Sequence, residues 1–103
     1  MLLDLTRDRI DFTIPTHRAV HRILVDAIGC DEWRARSLDA LLGEDLGFDV
    51  TDDGWDIAEE IEVEFQRTEA DTAVLLTPAA YHLRVRDVIA LADPSDPYTP
   101  KSR

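Results

Sequence analysis

The 103-residue chain has the length of one ordinary domain, and a composition of 45% hydrophobic and 32% charged residues separates it from disordered chains, which lack apolar surface to bury. A formal charge of -11 at pH 7 repels phosphate backbones and anionic lipid, so nucleic acid is excluded as an expected partner while basic protein patches are favoured. Cys30 is the single cysteine, which excludes an intramolecular disulfide and a thiolate-rich metal site and suits a cytoplasmic protein.

In chain order, residues 1–15 mix apolar and charged positions without a sustained period and read as an N-terminal arm. The charges at Asp4, Arg7, Asp8 and Arg9 argue against a secretion signal and a membrane span. Pro15 holds Ile14 extended. Thr16 is then placed to cap a helix whose apolar stripe is Val20, Ile23, Leu24, Ala27 and Ile28, with Gly29 as its stop. Ser37 to Leu42 predicts a helical turn before Gly43. Residues 44–53 read as a loop anchored by Leu46 and Phe48 and bent at Gly47.

Asp52 or Asp53 can cap the next element, where Ile57, Ile61 and Phe65 recur every four residues and Ala58 widens the stripe. Residues 61–65 also alternate with period two, so a strand competes there; the longer window favours a helix with an acidic exterior. Thr77-Pro78 is a helix start, and Val85, Val88, Ile89 and Ala92 form a last apolar stripe ended by Asp93-Pro94. Residues 94–103, with three prolines, predict a mobile tail. The domain proper is expected over 16–93.

Three segments carry a resemblance. Asp45-Leu46-Gly47-Phe48-Asp49 resembles the D-L-G-x-D-S-L segment of acyl and peptidyl carrier proteins. Glu60-Ile61-Glu62-Val63-Glu64-Phe65 is similar to the family's L-E-E-E-F ending, and Arg84-Val85-Arg86-Asp87-Val88-Ile89 to its T-V-x-D-V-I helix. The resemblance implies an all-α fold: a small four-helix bundle with a long loop between the first two main helices. It also implies partners from fatty-acid or polyketide metabolism that dock on the acidic second helix. Carriers bear phosphopantetheine on a serine, but Val50 follows Asp49 here and offers no oxygen. Aligned backwards from Phe65, the equivalent position is Thr51, whose β-branch crowds its hydroxyl; Ser37, in Ser37-Leu38-Asp39, is the other attachment candidate. The expectation is therefore a divergent carrier-like interaction or structural module, not an enzyme and without a cofactor. Its partner would be a basic protein patch bound by Asp52, Asp53, Trp55, Asp56, Glu59, Glu60 and Glu62. A working carrier modified at Thr51 or Ser37, with phosphopantetheine as cofactor, is the alternative.

Residues 49–60 also partly match a calcium-binding loop, with Asp49, Asp53 and Glu60 at ligand positions and Gly54 at the bend, so a calcium-responsive module is a further alternative. His17 and His21, four apart, share a helix face that could join a zinc site but reads better as a solvated basic face with Arg18 and Arg22. Trp33, Trp55 and Phe48 are expected in the core, unless Trp55 is exposed to anchor a partner.

Overall fold

The structure, a computed structural model, describes residues 9–94. The expectations for the first eight residues of the arm and for the tail beyond Pro94 lie outside the described residues. Four α-helices carry the fold: α1, Pro15–Ile28; α2, Val50–Phe65; α3, Glu69–Thr72; and α4, Val85–Ala92. Short 3-10 turns at Arg34–Arg36, Ala73–Leu76 and Pro78–His82 fill the connections. Among the described residues there is no strand, only two isolated antiparallel bridges, Arg9 with Ser37 and Leu41 with Arg84. The all-α fold with a long connection between the first two main helices is as the sequence implies.

Helix α1 begins two residues earlier than a Thr16 cap would start it. Pro15 occupies its first turn behind an extended Ile14, because proline fixes φ where no N–H bond is needed. Thr16 is therefore inside the helix, its hydroxyl 3.4 Å from an Asp93 carboxylate oxygen, and does not cap it. Gly29, with φ of 73°, donates its N–H to the Val25 carbonyl and closes the helix in the left-handed conformation.

The 30–49 connection differs more. Its helical turn lies at Arg34–Arg36, ahead of Ser37, and residues 38–43 are stitched by backbone bonds to 81–86, while residues 45–48 bond back to 41–43. Leu42 N–H bonds the Leu83 carbonyl at 2.8 Å, Gly43 N–H that of Tyr81 at 3.0 Å, and Val85 N–H that of Ala40 at 3.0 Å. These bonds satisfy loop backbone that would otherwise be buried without partners. Leu46 and Phe48 are buried as anchors, and Gly47 supplies the bend with φ of 80°.

The core joins Val20, Ile23 and Leu24 of α1 to Ile57, Ala58 and Ile61 of α2 and Val85, Val88 and Ile89 of α4, with Leu38, Leu42 and Leu75 between them. Residues 61–65 are helical, and the strand alternative is gone: Ile61 is fully buried while Val63, two residues on, is 77% exposed on the outer face. The Thr77 side chain does not cap the Pro78–His82 turn; its hydroxyl bonds back to the Val74 carbonyl at 2.8 Å. No helix among the described residues is long and apolar enough to cross a membrane.

Candidate functional site

Helix α2 begins at Val50, so Thr51, Asp52, Asp53 and Gly54 form its first turn instead of a loop. Asp49 is the cap: its carboxylate accepts the Thr51 N–H at 2.9 Å. Asp53 answers in the other direction, its carboxylate accepting the Asp49 N–H at 2.9 Å. Capping thus falls to Asp49, with Asp53 in support, and not to Asp52. Gly54 is buried in the helix because the backbone of the Ala73–Leu76 turn crosses it; a Cβ there would lie 2.3 Å from the Leu75 carbonyl oxygen.

From this start the helix carries seven carboxylates and no Lys or Arg. Asp52, Asp56, Glu59 and Glu60 are exposed and have no ion-pair partner among the described residues, whereas Glu64 meets Arg22 at 3.3 Å. Trp55 stands among them, 60% exposed. Steps of three and four residues put Trp55, Ala58, Glu59 and Glu62 on one stripe. That stripe forms one wall of a groove of about 490 Å³, closed on the other side by Glu69, Thr72, Ala73 and Leu76.

The facing wall is set by the turn after α2. Gln66 ends the helix in the left-handed conformation with φ of 55°, and Arg67 bonds the Leu91 carbonyl at 3.0 Å and lies 3.3 Å from Asp71. A reciprocal capping box between Thr68 and Asp71 then starts α3. The two bonds from Thr68 hold the Asp71 carboxyl below its ordinary range, with Arg67 adding to the effect. This places Thr72, 1% exposed, with its hydroxyl donating to Glu62 Oε2 at 2.8 Å. Glu62 is fixed at the groove by a buried donor, and no basic residue among those described pairs with it.

The other predicted positions disperse. Thr51 is exposed on the first turn of α2, near an open cleft of about 540 Å³ lined by Asp49, Val50, Pro78, Tyr81 and His82. Ser37 is fully buried, accepts the Asp39 N–H at 3.3 Å and bridges Arg9; a hydroxyl sealed in this way cannot receive a bulky arm without opening the fold, which corrects its candidacy. The calcium-loop reading is corrected too. Residues 50–60 are helix, so they cannot wrap an ion, and Asp49 and Asp53 spend oxygens on capping while Glu60 faces α1 beside Arg22 and Asp26. Among the described residues no group of three His, Cys, Asp or Glu side chains could hold a metal.

His17 and His21 are buried, not solvated. His17 Nδ1 accepts the Asp11 N–H at 3.1 Å, and His21 sits 3.0 Å from the Glu32 carbonyl with Phe12 edge-on to its ring. Residues 9–14 cover this face, which an arm without hydrophobic period offers no means to foresee. Of the three aromatics expected in the core only Phe48 is buried; Trp33 is 48% exposed beneath the Arg9 guanidinium at 4.4 Å. Burial pushes the Cys30 thiol up, away from the thiolate a nucleophile needs. Sequence reasoning missed Thr72, Glu69 and Leu76; the Thr68-Glu69-Ala70-Asp71 capping pattern was the available signal for that wall. In comparisons with known proteins, no family model, no curated protein and no solved structure matches this chain.

Proposed function

We propose that the protein is a carrier-like interaction module that works without a phosphopantetheine arm, binding a basic protein partner through the outer face of α2. The carrying observation is that Asp52, Asp56 and Glu59 stand exposed without counter-ions among the described residues, around a Trp55 that is 60% exposed. Like charges crowded on one helix repel, and a cationic surface relieves that repulsion on docking. An exposed tryptophan at the centre supplies the apolar anchor that charge alone lacks. The carrier resemblance points to a partner from fatty-acid or polyketide metabolism, and the single cysteine suits a cytoplasmic setting.

The test is a calorimetric titration with an arginine-rich amphipathic peptide at low salt, on the wild type and on a variant carrying Asp52→Lys, Asp56→Lys and Glu59→Lys. Binding by the wild type and its loss in the variant are expected; equal binding by both would sink the reading. A second reading, a carrier loaded at Thr51, has in its favour the exposure of Thr51 beside the open cleft at the start of α2. Intact mass after incubation with a phosphopantetheinyl transferase and coenzyme A separates the two, since only a carrier gains the mass of the arm.

A further inference from the structure

We infer that the groove between α2 and α3 is a seat for one arginine side chain of that basic partner. The inference rests on the proposed function and narrows it from a charged helix face to a single pocket. Three features select arginine over a diffuse cation. The groove floor is apolar, Ala58 below and Ala73 and Leu76 opposite, which suits the aliphatic stem of a long basic side chain. Trp55, on the rim, offers an aromatic face, over which a planar guanidinium stacks better than a compact ammonium.

The third feature is Glu62. The Thr72 hydroxyl, itself 1% exposed, holds Glu62 Oε2 at 2.8 Å. Most exposed glutamates lose rotamer freedom when they pair, which offsets much of the attraction. Glu62 is already oriented, and a carboxylate keeps acceptor capacity after one hydrogen bond. A guanidinium entering between Trp55 and Glu62 therefore meets a fixed acceptor, with Glu59 and Glu69 adding charge from either wall. The groove volume of about 490 Å³ leaves room for the residues that carry the arginine on a partner helix.

The experiment compares two synthetic amphipathic peptides, identical except that the central arginine of one is lysine in the other. Each is titrated into the wild type, Glu62→Gln, Thr72→Val and Glu60→Gln, with calorimetry and the Trp55 indole N–H resonance as readouts. Glu60→Gln removes the same charge from the α1 side of the helix, so it controls for net electrostatics. Glu62→Gln is expected to weaken the arginine peptide roughly tenfold, the scale of one charge-assisted hydrogen bond, and Glu60→Gln by less than about twofold. Thr72→Val is expected to fall in between, and lysine to lose most of the advantage the arginine peptide has. Should Thr72→Val unfold, the comparison of Glu62→Gln with Glu60→Gln, at a half-buried and an exposed position, still decides. Equal weakening by Glu62→Gln and Glu60→Gln, or equal binding of the two peptides, overturns the arginine seat and leaves the α2 docking face standing. Absence of binding by the wild type to either peptide overturns both.

Discussion

Gly54 shows at the scale of one residue how tertiary contact reverses a local preference. Within a helix, alanine is favoured over glycine by about 1 kcal/mol, so Gly54→Ala in the first turns of α2 would ordinarily stabilise the protein. Here the added methyl would stand 2.3 Å from the Leu75 carbonyl oxygen and 3.5 Å from a Val50 methyl. The oxygen belongs to backbone and cannot rotate away. Overpacking of this kind costs roughly 1–3 kcal/mol, enough to outweigh the propensity gain. Gly54→Ala should therefore lower the urea midpoint, and because the displaced backbone leads from Thr72, it should also disturb the Thr72 to Glu62 bond. An unchanged or higher midpoint would mean that α2 and the 73–76 turn lie farther apart than this contact requires.

At the scale of elements, α3 is four residues long and far too short to be stable alone. It depends on its capping box, in which the Asp71 carboxylate accepts the Thr68 N–H and hydroxyl, each at 2.9 Å. These bonds lower the folded carboxyl below its ordinary 3.8. A depressed acid contributes stability that is present above the unfolded pKa and lost as pH falls through the folded one. Acidification below the ordinary carboxylate range should thus release α3 first, seen as faster amide exchange at Asp71 and Thr72, and Asp71→Asn should weaken that pH dependence. The same element marks where sequence reading stops. The stripes of α1 and α4 were legible because their apolar residues repeat at helical steps, and Gly29 and Pro94 mark the ends. The body of α2 was legible through Ile57, Ile61 and Phe65. Its start was not, since Asp52, Asp53 and Gly54 are turn-forming residues and only the passage of Leu75 over Gly54 explains a glycine inside the helix. The acidic exterior of α2 could be named in advance from its carboxylates. The groove could not, because Glu62 and Thr72 meet across two elements and no local pattern encodes that hydrogen bond.

For the whole molecule, the distribution of charge sets stability against binding. Residues 9–94 by themselves carry the formal charge of -11, within a radius of gyration of 12.3 Å, so charges across the described residues sense one another at low ionic strength. Favourable pairs such as Arg22 with Glu64 and Arg67 with Asp71 are partly or well exposed, and pairs of that kind contribute about 0–1 kcal/mol each. The repulsion among the α2 carboxylates is opposed by no cation on their own helix. Screening should therefore remove more repulsion than attraction. Raising NaCl from about 10 mM to about 1 M shortens the screening length from roughly 30 Å to roughly 3 Å, and the urea midpoint should rise across that range. Glu59→Gln should raise the midpoint at low salt and have little effect at high salt, because the charge it removes is then already screened. A midpoint that falls with salt would show that the ion pairs dominate. If the expected direction holds, the outer face of α2 costs stability in the isolated protein at low salt, and a cationic partner lifts the same cost on docking, so binding and salt should stabilise the fold by the same route and not add fully when combined.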